Sequence, residues 1–122
     1  MSDTKKELTP AELADVLASG KYNKATGSLV THRGLCCLGA YGKECDILKM
    51  EGNTYGYVEW EDSFGYTRTT DTRLDELAPE WMKAESDDRD DTVEQRLIDL
   101  NDENPYDKWE AVIEFLRRLD QS

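Results

Sequence analysis

Read along its 122 residues, the chain changes hydrophobic period several times, and each change predicts an element. LTPAELADVLASGKY places Leu13, Val16 and Leu17 at helical spacing behind Thr9, a natural N-cap, and Pro10, whose fixed φ suits the first helical position. Gly20 stands where a C-terminal cap is wanted, so a helix is predicted over residues 10 to 19. KYNKATGSLVTHRG then reads as a loop with a short extended piece at Ser28 to Thr31. In LCCLGAYGKECDILKM, Leu35, Leu38, Cys45 and Leu48 can share one helical face. Gly39 and Gly42 each cost about 1 kcal/mol there relative to Ala, and they suggest close approach of another backbone, for instance that of the first helix.

TYGYVEWEDSFGYTRTT switches to a period of two, and it is rich in aromatic and β-branched residues. Tyr55, Tyr57 and Glu59 alternate with Gly56, Val58 and Trp60, Glu61 to Gly65 forms a turn, and Tyr66 to Thr70 returns. A lone hairpin is marginal in water, so it is expected to pack on helices or to gain a third strand, with Ser28 to Thr31 as the candidate. TRLDELAPEWM predicts a short helical segment interrupted by Pro79, and ESDDRDD an exposed loop. Thr92 can cap TVEQRLIDL, with Glu94 and Gln95 near the positions that reach back to a helix start. The last helix, YDKWEAVIEFLRRL, aligns Trp109, Val112, Ile113, Leu116 and Leu119. No internal repeat is present. Together these elements predict an α+β fold: a small single domain over residues 1 to 122, mostly helical, with one β-hairpin or small antiparallel sheet packed on the helices. A chain of this length has room for one core and buries roughly 65 to 70% of its unfolded surface.

Charge sharpens the picture. The chain carries 27 acidic and 15 basic residues, a net charge of -12. Residues 1 to 50 are close to neutral at +1, whereas residues 51 to 122 hold -13, and Ala84 to Asp107 alone holds ten acids against two bases. Such a segment repels nucleic acid and anionic lipid and attracts a basic protein surface, over a screening length of about 8 Å at physiological salt. No stretch matches a membrane span, and MSDTKKELTPAEL lacks the apolar core of a signal peptide, so a cytoplasmic location is expected. Three cysteines, two of them adjacent, fit reduced and partly buried thiols better than a disulfide framework.

DLNDENPYDKWE, residues 99 to 110, carries the most specific candidate chemistry. Laid on a twelve-residue calcium loop, Asp99, Asn101, Glu103, Asp107 and Glu110 fall at ligand positions 1, 3, 5, 9 and 12. The sharp turn at position 6 requires positive φ, yet Asn104 there precedes Pro105, which pushes it towards extended backbone. The favoured reading is therefore a turn between two helices, with Asn101 or Asn104 ending one and Pro105 or Asp107 starting the next. His32, Cys36, Cys37 and Cys45 have zinc-ligand side chains but no CxxC pair. A cysteine nucleophile would have only His32 and Arg33 for support. Twenty-seven acids make any particular carboxylate pair undiagnostic, and no phosphate-binding or nucleophile-elbow motif occurs.

The order SGKYNKATGSL, LCCLGAYGKECDIL, LDELAPEWM and LIDLNDENPYDKWEAVIEFL resembles a group of small uncharacterised proteins of tailed phages and prophages. These share a helix ending SGxY, a CCLG segment and an LND motif before a final amphipathic helix. The likeness is collinear along nearly the whole chain. It departs where the group's Val-Leu-Cys becomes Ala-Tyr-Gly and where NPYDKW replaces a glycine-containing turn. It implies a phage origin and action in a bacterial cytoplasm, and it transfers no catalytic residue.

The expectation that follows is a non-enzymatic counter-defence or host-takeover inhibitor. It would need no cofactor, would bind neither nucleic acid nor membrane directly, and would dock on a basic, nucleic-acid-binding host protein. Glu85, Asp87, Asp88, Asp90, Asp91, Asp99, Asp102, Glu103 and Asp107 would stand in for phosphates, with Tyr57, Trp60, Phe64 and Tyr66 as apolar anchors. The alternative is a nucleotide-signal sponge built from aromatics with Arg68 or Arg73.

Overall fold

A computed structural model describes residues 7–52, 54–85, 91–103 and 108–121. The elements run in the order α1 (Pro10–Ala18), β1 (Val30–Thr31), β2 (Gly34–Leu35), α2 (Cys37–Glu44), β3 (Lys49–Glu51), β4 (Tyr55–Glu61), β5 (Thr67–Thr70), a 3-10 turn (Asp75–Leu77), α3 (Glu80–Lys83), α4 (Val93–Glu103) and α5 (Glu110–Gln121). The fold is α+β, helices packed with small antiparallel sheets.

Helix α1 starts as its sequence dictates. The Thr9 hydroxyl accepts from the Glu12 N–H at 3.2 Å, and the Glu12 carboxylate accepts from the Thr9 N–H at 2.9 Å, a reciprocal cap. Leu13, Ala14 and Leu17 are buried, and α1 packs on α5, where Arg117 reaches Asp15 at 3.2 Å. The second predicted helix is shorter than its apolar spacing suggests: α2 ends at Glu44, Asp46 takes a φ of 61°, and Lys49–Glu51 becomes a strand. That strand, β3, is the third strand of the main sheet, in the order β3-β4-β5. Residues 28 to 31 do not join it: Val30–Thr31 instead forms a separate two-stranded hairpin with Gly34–Leu35.

Two glycines explain how the layers meet. A Cβ at Gly39 would lie 2.1 Å from the Leu29 carbonyl oxygen, so the close backbone approach at this glycine is to the segment entering β1 and not to α1, which α2 touches elsewhere. A Cβ at Gly56 would lie 2.5 Å from a Val30 methyl group, which lets the small hairpin lie on β4. The period of two in β4 holds: Gly56 and Val58 are buried while Tyr55 and Glu59 face out. One core results, gathering Leu13, Leu29, Leu38, Tyr41, Val58, Leu74, Met82, Leu97, Trp109, Val112 and Leu116.

Candidate functional site

Helix α4 is two-sided. Val93, Leu97 and Leu100 face the core, together with two polar residues whose burial needs a reason, Glu94 and Asn101. Asn101 is 1% exposed, and its amide is filled from three directions. Its Oδ1 accepts the Cys37 N–H at 3.0 Å and the Trp109 Nε1–H at 2.7 Å, while its Nδ2 donates to the Ala25 carbonyl at 2.9 Å. One side chain therefore ties the loop before β1, the start of α2 and the entry to α5 to α4. Trp109 meets it from a left-handed backbone, φ 67°, immediately before α5.

That geometry keeps the two flanking helices read from residues 99 to 110 and shifts their ends, the alternative boundary residues Asn104 and Pro105 lying outside the described residues. Asn101 does not end a helix, since α4 continues through Glu103, and α5 begins only at Glu110 because the Trp109 backbone is not helical. Asp99, Asn101 and Glu103 lie in that helix rather than in a loop. At about 100° per residue, Asp99 and Asn101 face opposite ways, and the Asn101 oxygen is already taken by two N–H donors. Glu110 opens α5, and Asp107 lies outside the described residues. Among the described residues, no group of three or more His, Cys, Asp or Glu side chains is arranged to hold a metal ion.

Glu94 does not reach back to its own helix start. Its carboxylate accepts the N–H groups of Leu74, at 2.7 Å, and Asp75, at 3.2 Å, so it caps the 3-10 turn. Burial pushes its pKa up against the lowering effect of those two N–H groups. Thr92 does cap α4, accepting the Gln95 N–H at 3.2 Å.

The outward side of α4 carries Asp99, Asp102 and Glu103, at spacings of three and four that place them along one stripe. Asp102 and Glu103 are exposed and Asp99 is half-buried. Their described contacts are with neutral donors: Gln95 Nε2 to Asp99 at 3.1 Å, and the Gly27 N–H to Asp102 at 3.4 Å. A bridge between Glu85 and Thr92 brings exposed Glu85 and half-buried Asp91 to the beginning of the same helix. The described ion pairs are Lys21–Glu44, Lys49–Glu59, Arg68–Asp62 and Arg117–Asp15, and none uses these five acids. Asp87, Asp88 and Asp90 lie outside the described residues.

The hairpin aromatics divide. Trp60 packs partly against the core, and Tyr57 stacks at 5.7 Å on Tyr55 across the outer sheet face. Phe64 and Tyr66 stand out at 82% and 67% exposure. Their loop is ordered by Asp62, whose Oδ1 accepts the N–H groups of Phe64 (2.9 Å) and Tyr66 (3.0 Å) and whose Oδ2 accepts Arg68 Nε at 2.7 Å. Those bonds hold the Asp62 carboxyl below its usual pKa, Arg68 first among them. Arg73 in turn donates to Gln95 at 2.6 Å, so both arginines serve local structure.

The three cysteines are buried, and none is in a disulfide. Cys36 Sγ accepts the Gly39 N–H and so caps α2, and burial pushes its thiol up to about 11. Cys37 is shifted in the same direction for the same reason, and its thiol points to the Leu97 carbonyl. The adjoining cavity, bordered by Cys36, Cys37, Asn101 and Asp102, measures about 10 Å³, room for one water and no substrate. His32 is exposed, away from this interior.

What fold and site define is a small acidic α+β protein in which buried Glu94 and Asn101 hold α4 to its neighbours, and in which Asp99, Asp102 and Glu103 on that helix take part in none of the described ion pairs. No protein-family model, no curated protein and no solved structure matches the chain.

Proposed function

We propose that the protein is a non-enzymatic accessory protein of phage or prophage origin that binds a host protein through its acidic side and blocks that protein's nucleic-acid-binding surface. The observation that carries the reading is the α4 stripe Asp99, Asp102 and Glu103, continued by Glu85 and Asp91, which takes part in none of the described ion pairs. Carboxylates that take part in none of the described ion pairs and sit on a packed helix present directed negative potential, and a basic groove evolved for phosphates is its complement. Phe64 and Tyr66, held out by the Asp62 turn, supply apolar anchors that charge alone lacks. The phage assignment rests on the CCLG and LND segments, and action in the bacterial cytoplasm follows from it. Among the described residues, no helix is long and apolar enough to cross a membrane.

The test is affinity capture from bacterial lysate with the wild-type chain and with Asp99→Lys/Asp102→Lys/Glu103→Lys, at low and high salt. Expected is a partner that is retained at low salt, is displaced by added duplex DNA and is lost with the variant. A partner held equally by the variant, or indifferent to DNA, refutes the acidic-face reading.

A further inference from the structure

A second surface lies on the main sheet. The register of β3 on β4 sets Glu51 opposite Tyr55 and Lys49 opposite Tyr57, and Glu59 and Glu61 follow along β4 on the same side. Alternation sends Gly56 and Val58 to the other side, where Val30 seats against Gly56. The outward side is open: Lys49, Glu51, Tyr55, Glu59 and Glu61 are exposed, and Tyr57 is half-buried. Tyr55 keeps 42% of its surface in solvent, and the two rings lie 5.7 Å apart at an angle of 33°. Lys49 reaches diagonally to Glu59 at 3.8 Å, so that pair offers no surplus charge. Glu51, beside Tyr55, and Glu61, at the far end of the row, take part in none of the described ion pairs. Three glutamates against one lysine leave this face at a net charge of -2.

An exposed tyrosine ring attracts a cation through its quadrupole, and a carboxylate next to it adds a charged acceptor. A guanidinium satisfies both at once, because its plane stacks on a ring while its N–H fork meets a carboxylate. An ammonium has neither the plane nor the fork. Side chains two apart on an extended strand stand about 6.8 Å from each other, and Tyr55, Tyr57, Glu59 and Glu61 follow one another at that pitch. From the open face, the paired rings and the two carboxylates outside any described ion pair, we infer that the outer side of this sheet binds an extended basic segment of a partner protein with arginine at alternate positions. One guanidinium lies on the tyrosines beside Glu51, and another meets Glu61. A second copy of this chain is not the complement, because its own face carries the same negative charge. The surface is separate from α4 and does not depend on the partner proposed for that helix.

Calorimetry at low salt tests this with an acetylated octapeptide amide of alternating arginine and threonine, and with the same peptide carrying lysine for arginine. The full chain is titrated as wild type and as Asp99→Lys/Asp102→Lys/Glu103→Lys, which removes α4 as a competing site for a cationic peptide. The expected result is saturable binding of the arginine peptide to both, with a Kd below about 1 mM. The lysine peptide, equal in charge, should bind about threefold or more weakly. In the α4-reversed background, Tyr55→Ala should weaken the arginine peptide by about threefold or more, and Glu51→Gln/Glu61→Gln by about fivefold or more. All three positions are exposed, and a thermal melt confirms that each variant is folded; should one fail to fold, the other decides. The inference is overturned if the Kd lies above about 1 mM, if the lysine peptide matches the arginine peptide, if the folded variants bind as their parent does, or if α4 reversal alone abolishes binding. It is also overturned if sedimentation shows the free chain to be a dimer that these same substitutions dissociate, since the face would then belong to a second copy. Lysate capture reads α4 and this titration reads the sheet, so failure of one is distinguished from failure of the other.

Discussion

Replacing Asn101 by alanine strips three buried groups of their partner at once: the Cys37 N–H, the Trp109 indole N–H and the Ala25 carbonyl. Each orphaned group carries a desolvation cost of about 1–3 kcal/mol, reduced where water enters the vacated space. Because the three share one site their costs do not add fully, and a loss of about 3–5 kcal/mol is expected. That is a large part of the about 6–18 kcal/mol that a chain of this size holds in total. Asn101→Asp separates hydrogen bonding from shape. The carboxylate still accepts both N–H groups, but an oxygen now faces the Ala25 carbonyl, and the Asp102 carboxylate, which accepts from Asn101 Nδ2 at 3.3 Å, lies next to it. A buried aspartate there has its folded pKa raised, so the aspartate variant should recover stability towards low pH and lose it as pH rises through that pKa. Urea unfolding followed by tryptophan fluorescence measures both. A cost under 1 kcal/mol for Asn101→Ala at unchanged m-value would refute the view that this amide joins the elements.

Glu94 gives a related pH dependence. Its folded pKa lies above the unfolded value, so the folded state holds its proton longer and stability falls as pH rises from about 4.5 through the folded pKa. Glu94→Gln, which keeps an acceptor for the Leu74 and Asp75 N–H groups, should flatten that part of the stability–pH curve, and an unchanged curve counts against it. Gly39→Ala should destabilise by about 3 kcal/mol or more, because its Cβ meets the Leu29 carbonyl at 2.1 Å. Gly42→Ala, whose nearest contact is the Leu48 Cβ at 3.3 Å, should cost under about 1 kcal/mol. Equal melting temperatures for the two would mean that α2 does not seat on that backbone. Added NaCl should raise the melting temperature by screening repulsion among the α4 acids, and a melt that ignores salt between low and physiological strength argues that they are too far apart to interact.

Elements with their own local signal were legible in the sequence. Thr9–Pro10 announced α1, the alternation from Tyr55 to Glu61 announced β4, and Thr92 announced α4, because caps and periods act between near neighbours. What escaped depended on distant partners. The apolar spacing of Leu35 to Leu48 continues past the end of α2, but pairing with β4 across Met50–Gly56 draws Lys49–Glu51 into a sheet. Trp109 carries the right polarity for the final stripe, yet the Asn101 oxygen that receives its indole N–H is eight residues away and its left-handed backbone has no residue signature. At the candidate site the charge density of residues 84 to 107 was visible, whereas the division of α4 into anchored and exposed sides was not. Asn101 and Glu94 look like surface residues by type. The signal that could have marked them is positional: at 93, 94, 97, 100 and 101 they fall on the apolar side of a 3.6-residue period.

That division has a physical consequence for the acidic side. Asp99, Asp102 and Glu103 are like charges one turn apart, an arrangement that destabilises an isolated helix by about 0.2–0.5 kcal/mol per pair. α4 persists because its other side is held by the Asn101 amide, the Glu94 cap on the 3-10 turn and the burial of Val93, Leu97 and Leu100, all stronger than the repulsion they oppose. A helix fixed in this way cannot relieve its charge by fraying or rotating. The remaining routes are counterions or a cationic surface of matching spacing, and a rigid stripe discriminates between them. Mobile ions screen any arrangement of charge, but only a partner with its own fixed cations gains from carboxylates already set in register, without the ordering cost that flexible side chains incur on binding.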